Sequence, residues 1–262
     1  MFAVYQLAAF LAHPARRFFL PVISIIIPTL NEEYSMLKTL EALLCAAGKF
    51  EIIVEDDNSD DSTKAIASKF GPVITSPRAR GLQMNCGAAE ARRNLLLILH
   101  ANTAFPPNGI HAIEQSIENS QNIGWNFDIH YDDDNFSSRV FTLINRWRCS
   151  LRNFLRRFRN LCTPGCFYRL GGFRPLPLME DYDFARRMAR TGKTVCLNES
   201  LLVSARRWEE HGLIRTMASW FIIYVFYYLE LRGDFLTRFY LNIRSTHVSG
   251  RKTAKKKPID NR

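Results

Sequence analysis

The chain has 262 residues, 47% hydrophobic and 23% charged, which suits one large globular domain or two small ones with ample core. A formal net charge of +10 favours an anionic partner: nucleic acid, an acidic membrane surface or phosphorylated small molecules. No nucleic-acid-binding motif accompanies the charge, so nucleic acid is excluded from the expected partners.

The N-terminal residues 1–21 read as an apolar and basic extension. Phe2 to Leu11 is apolar but short, nothing basic precedes it, and Arg16-Arg17 follow it, so it makes a poor signal peptide. Ile23 to Pro28 (ISIIIP) is a buried strand ended by proline. Asn31 can cap the next helix, which carries Glu32 and Glu33 in its first turn and runs to Ala47 before Gly48. Glu51 to Val54 is the second strand, and its end spills into Glu55-Asp56-Asp57-Asn58-Ser59-Asp60-Asp61. A helix over 62–70, a short strand Val73 to Thr75, a helix over 81–93 and a third long strand, Leu95 to Leu99, follow. That strand runs into His100-Ala101-Asn102-Thr103.

This alternation predicts an α/β fold with a mostly parallel sheet flanked by helices and right-handed crossovers. Ligands in such sheets sit at the carboxyl ends of the strands. Those ends carry Thr29 to Glu32, Asp56 to Asp61 and His100 to Thr103, polar or acidic residues that a nucleotide pocket needs. No GxGxxG follows the first strand and no GxxxxGK[ST] occurs, which argues against a dinucleotide fold and a P-loop.

The second half is less regular. Pro106-Pro107 opens a helix to about residue 120, and Phe127 to Tyr131 reads as a strand. Val140 to Phe158 is an amphipathic helix with an apolar stripe of Val140, Ile144, Trp147, Leu151, Phe154 and Phe158. Its other positions carry seven arginines, Arg139 and Arg159 at the ends included, and no acid. Two glycines and two prolines fix a turn in Gly171-Gly172-Phe173-Arg174-Pro175-Leu176-Pro177, and three acids follow at Glu180, Asp181 and Asp183, where a helix over 182–190 begins. Acids at a helix start serve as dipole partners, or as a general base when held on a rigid turn. Short strands are expected at Thr194 to Leu197 and Leu201 to Val203, then an aromatic-rich helix over 213–231. Its apolar run Met217 to Leu229 falls short of the roughly 20 residues that span a bilayer. Residues 246–262, with Lys255-Lys256-Lys257, read as a disordered basic tail. Six scattered cysteines without a CxxC pair read as free, mostly buried thiols of a reducing cytoplasm.

Six segments taken together, ISIIIPTLNEE (23–33), IIVEDDNSDDST (52–63), RGLQMNCGAAEA (80–91), LLLILHANT (95–103), GGFRPLPLMEDYDFARR (171–187) and SARRWEEHG (204–212), resemble the GT-A family 2 glycosyltransferases in order and spacing. The resemblance is nearest to the subgroup labelled arsenosugar-biosynthesis-type glycosyltransferases, a label that is not a substrate assignment. It implies a GT-A domain over residues 22–245 and an inverting, hexosyltransferase-type enzyme. It also implies a nucleotide-diphosphate-sugar donor, a UDP-sugar first, and a divalent metal, Mg or Mn. The implied donor-binding residues are Glu32, Asp56, Arg80, Asn85, Arg207 and Trp208, with Asn85 also able to pin the loop and Arg206 competing with Arg207 for the cationic role. For Glu32 and Asp56 the alternative is helix capping and a solvated loop; for Arg80, a solvated face.

By the same resemblance Asp181 is the general base and Glu180 its support, while Asp183 has a sufficient explanation as a helix-dipole partner. The metal side departs from the family: Asn102 stands where the family places a metal-binding aspartate. An amide oxygen ligates a hard cation without negative charge, so with Asn102 and His100 as weak ligands the metal is weakened or absent. The segment 160–170 also looks shortened where the subgroup has a strand. Two readings stay open, an active transferase and a catalytically weakened or inactive nucleotide-sugar-binding relative. The acceptor is lipid-linked or a small molecule, and the two basic or aromatic helices suggest contact with an anionic membrane surface. The expected location is cytoplasmic, or peripheral on the cytoplasmic face of a membrane.

Overall fold

The computed structural model describes residues 23–76, 79–118, 121–133, 135–150, 161–204 and 213–229. The extension 1–21, the domain end at 245, the tail 246–262 and Arg206, Arg207 and Trp208 lie outside these residues.

In chain order the elements are β1 (Ile23–Thr29), α1 (Glu33–Leu44), β2 (Phe50–Asp56), α2 (Thr63–Ala67), β3 (Val73–Thr75), α3 (Arg80–Glu90), β4 (Leu95–Ile98), β5 (Thr103–Ala104) and α4 (Gly109–Glu118). Then come β6 (Gly124–Tyr131), α5 (Phe136–Ser150), β7 (Leu161–Cys162), α6 (Pro164–Arg169), α7 (Glu180–Thr191), β8 (Thr194–Val203) and α8 (Leu213–Tyr228). They build one eight-stranded sheet in the order β3-β2-β1-β4-β7-β6-β8-β5. β3, β2, β1 and β4 pair in parallel, as do β6 and β8, while β7 and β5 are antiparallel to their neighbours. The first half is therefore the parallel sheet that the sequence predicts.

Both faces of the sheet are covered, which is why β1 and β4 are nearly all apolar and fully buried. Ile25, Ile27, Val54, Leu95 and Leu97 meet Met36, Leu40 and Leu43 of α1, Ala67 of α2, and Ile110 and Ile113 of α4. On the other face Ile26, Ile53, Leu96 and Ile98 meet Met84 and Ala88 of α3, Phe167 of α6, and Phe184 and Met188 of α7. Strand residues of alternating parity thus feed two separate cores. α8 packs on α7 through Tyr182, Tyr224 and Tyr227, and on α5 through Phe141 and Trp220.

Several expected boundaries move. Asn31 is not the cap of α1: it adopts a left-handed conformation (φ 54°), and its side chain accepts the Asp60 N–H at 3.0 Å. α2 has only five residues. The two expected strands after α7 are one strand, β8, with an irregular register between Asn126 and Asp128 of β6. Phe141 is buried in α5 although it lies outside the expected apolar stripe. Where a strand was expected to be shortened, two residues of β7 give way to α6, capped by the Thr163 side chain with Pro164 at its start. The expectation of free thiols holds for Cys45, Cys86, Cys162 and Cys166 but not for Cys196, which is disulfide-bonded. Among the described residues, no helix is long and apolar enough to cross a membrane.

Candidate active site

Two groups of polar residues gather at the carboxyl ends of β1, β2 and β4. The first joins the loops after β1 and β2. Ser59 donates its N–H to Asp56 Oδ2 at 3.0 Å and its hydroxyl to Oδ1 at 2.6 Å, so the buried Asp56 shapes its own turn. The Asn31 N–H reaches Ser59 Oγ, and the Glu32 N–H reaches Thr63 Oγ1 at 2.8 Å. The Glu32 carboxylate accepts from the Ser35 hydroxyl at 2.6 Å. Asp61 accepts the N–H groups of Glu33 and Thr63. Its pKa moves down because these hydrogen bonds outweigh the burial that pushes it up. Neither carboxylate caps a helix through its side chain; Glu32 accepts from Ser35 and Asp56 from Ser59, and these local bonds hold both at the strand ends.

The second group is built around Arg80, the first residue of α3. Its Nη2 lies 2.8 and 2.9 Å from the two ring nitrogens of His100, just past β4. Its Nε stands 3.4 Å from Glu180 Oε1 and its Nη2 3.9 Å from Asp181 Oδ2, at the start of α7. Four expected site residues, from three distant segments, thus share one cluster. Arg80 is not on a bare solvated face, although 44% of its side chain is exposed.

The two carboxylates differ in environment. Glu180 is buried, and its pKa is pushed up to about 7 by burial, eased down by Arg80 and raised again by Asp181. Asp181 is half-buried, and its Oδ1 accepts its neighbour's N–H at 2.8 Å. An accessible carboxylate can take a proton from an incoming hydroxyl; a buried one that already holds a proton near neutrality orients.

α7 begins at Glu180, two residues earlier than expected, so both acids lie inside its first turn. The residue before them, Met179, is left-handed (φ 67°), a conformation that costs a non-glycine residue about 1–3 kcal/mol and clusters at functional sites. The loop that delivers them is clamped. Asn85 donates to the Phe173 carbonyl at 2.9 Å and accepts the Phe173 N–H at 2.8 Å. Gly172 sits at φ 64°, and a Cβ there would lie 2.6 Å from Asn85 Oδ1. Both ends of the Asn85 amide are engaged in holding this loop.

The supports of this loop come from residues that no sequence motif marks as functional. Arg187 bonds Asp183 at 2.8 Å and the Gly172 carbonyl at 2.7 Å, tying α7 back onto the glycine turn. Asp183 also accepts from Tyr227 and Arg174, so it is a buried anchor as well as a first-turn acid. Gln83 donates to the carbonyls of Thr29 and Glu55, fixing α3 to the ends of β1 and β2. Glu55, read as part of an acidic spill, is instead fully buried under α3 beside Gly87. Burial pushes its pKa up to about 7; the Ser76 hydroxyl, near but outside hydrogen-bonding geometry, lowers it, and Glu90 raises it. The alternation Ile53, Glu55 was the available signal, since a residue two places on from a core isoleucine in a strand shares its face.

The donor set for a divalent ion is poor. Asn102 is held by its backbone, with the Ser204 N–H on its carbonyl and Thr39 bonding the residues on either side. Its amide brings no charge. Both His100 ring nitrogens lie against the Arg80 guanidinium, which has no acceptor, so at most one of them accepts from it. A dication ligated there would sit on the order of 5 Å from Arg80, a repulsion of about 7 kcal/mol at an effective dielectric of 20. Both nearby carboxylates already face Arg80. Among the described residues no group of three His, Cys, Asp or Glu could hold a metal. These residues do not fit the ion that the resemblance implies.

The chain is similar to known proteins in sequence family and in fold. The description Glycosyl transferase family 2 matches residues 24–176. A probable glycosyltransferase of Bacillus subtilis, YdaM, is 28% identical over 119 residues, covering 40% of this chain and 28% of that protein. The chain thus matches little more than a quarter of that relative's length. Among solved structures, S. aureus TarS 1–349 in complex with UDP superposes with a TM-score of 0.61 at 15% identity, over 70% of this chain and 60% of that one. The mannosyltransferase PcManGT of Pyrobaculum calidifontis, solved with GDP-Man and Mn2+, gives a TM-score of 0.56 at 14% identity, over 77% and 68%. The GT-A-like α/β fold expected from the sequence is the fold found; the arsenosugar-type subgroup is not singled out.

Proposed function

The chain belongs to glycosyl transferase family 2, and on that premise we propose that it transfers a sugar, with inversion, from a nucleotide-diphosphate donor to an acceptor hydroxyl. The observation that carries the reading is the gathering of Asp181, Glu180, Arg80 and His100 at the carboxyl ends of the parallel strands. Structures similar in fold hold UDP or GDP-Man, which supports a nucleotide-sugar donor, a UDP-sugar first.

The base and ribose of the donor lie against the loops after β1 and β2, where Asp56 and Glu32 present carboxylates. The diphosphate lies toward Arg80. Asp181 removes the acceptor hydroxyl proton as that oxygen bonds to the anomeric carbon. The bond from that carbon to the phosphate oxygen breaks on the opposite side, and its electron pair leaves with the diphosphate, whose new charge Arg80 stabilises. Glu180 holds Arg80 and the start of α7 in place. Asn85 acts through the glycine loop and contacts no donor atom. Arg207 and Trp208, by resemblance, complete the anion clamp and the acceptor shelf.

The test is a panel of UDP- and GDP-sugars, with acceptors varied, read by release of the nucleoside diphosphate. Turnover of one donor is expected. Binding of a donor with no turnover across the panel would replace this reading with the second one, a nucleotide-sugar-binding relative. The specific observation favouring that second reading is the uncharged, backbone-held Asn102.

A peripheral membrane location is part of the proposal. Met217, Phe221, Val225 and Leu229 recur every four residues across α8 and its end, and all are exposed. Such a stripe on a chain of net charge +10 fits an anionic bilayer surface and a lipid-linked acceptor, with a small-molecule acceptor the alternative.

A further inference from the structure

We infer that Arg80 takes the place of the divalent ion at the donor diphosphate, so that this chain binds nucleoside diphosphates without metal. The inference rests on the donor-binding reading above and goes beyond it, because the fold would otherwise imply a bound cation.

Three features of the cleft support it. The residue positioned to ligate, Asn102, is neutral. The other candidate, His100, presents both ring nitrogens to the Arg80 guanidinium within 2.9 Å. Glu180 and Asp181, the carboxylates that could have completed a metal site, instead lie 3.4 and 3.9 Å from the same guanidinium. This positive charge is therefore covalently attached, and His100, Glu180 and Asp181 are among the groups that orient it. A guanidinium matches a diphosphate with paired N–H donors and needs no dehydration of a metal ion.

The experiment is calorimetric titration of the full chain with UDP and with GDP, in EDTA and in Mn2+. For the nucleotide that binds, affinity should agree within about twofold between the two conditions. Arg80→Gln should weaken it at least tenfold, Arg80→Lys should recover part of that loss, and Asn102→Asp should make binding respond to Mn2+. Binding that appears only with Mn2+ overturns the inference while leaving the donor reading intact. A loss in Arg80→Lys as large as that in Arg80→Gln also overturns it, since the positive charge would then carry none of the binding. Failure of both nucleotides to bind, with and without metal, overturns the donor reading itself.

Discussion

At the scale of single residues, burial separates carboxylates that look alike in the sequence. Asp181 and Glu180 are adjacent, yet Glu180 is buried, which pushes its pKa up to about 7, while Asp181 is half-buried. Glu55 shows the same physics away from the chemistry. Its folded pKa of about 7 lies above the ordinary 4.5, so the folded state binds the proton more tightly than the unfolded state does. Stability from this group is present below about pH 4.5, falls as pH rises toward 7, and levels above it. Glu55→Gln removes that loss and should stabilise the fold above pH 7 by up to about 3 kcal/mol, with little gain at pH 4.5. Glu180 adds a slope of the same sign, so the quantity to read is the difference between variant and parent in urea midpoints at pH 5 and pH 8. Parallel profiles would contradict the assignment. The two motifs holding Arg80 and Glu180 were legible as segments, but their pairing was not, because nothing in either segment specifies a partner in the other.

At the scale of elements, the site depends on how α3 and α7 are tied together. Asn85 bonds both backbone groups of Phe173, and Gly172 leaves room for its amide oxygen. Asn85→Ala should cost about 2 kcal/mol through two lost hydrogen bonds. It should lower kcat several-fold while donor affinity changes by less than twofold, because the loop it holds carries Asp181 and not the donor. An equal loss of donor affinity would mean that Asn85 touches the donor. Gly172→Ala should destabilise by a further margin, about 1–3 kcal/mol, since its positive φ and the 2.6 Å approach to Asn85 Oδ1 both oppose a side chain. Thermal melts and kinetics on the same samples check both variants. The parallel half of the sheet was readable because its apolar runs and turn residues are local signals. β7, β5 and α6 were not, since two-residue strands are defined by their partners rather than their own sequence.

At the scale of the whole molecule, an exposed apolar stripe on α8 accompanies a net charge of +10. Co-sedimentation with anionic vesicles should be strong at low salt, weaken at about 0.5 M salt as charge is screened, and fall at least several-fold in Phe221→Asp. No binding at low salt would remove the membrane surface from the account. The role of Asp181 in glycosyl transfer is tested by comparing Asp181→Asn with the parent chain under saturating donor and acceptor. Asn keeps the size and the hydrogen bond to the Tyr182 N–H but cannot take the proton. If Asp181 is the base, kcat should fall at least a hundredfold with donor affinity within about threefold of the parent. An unchanged kcat would contradict it.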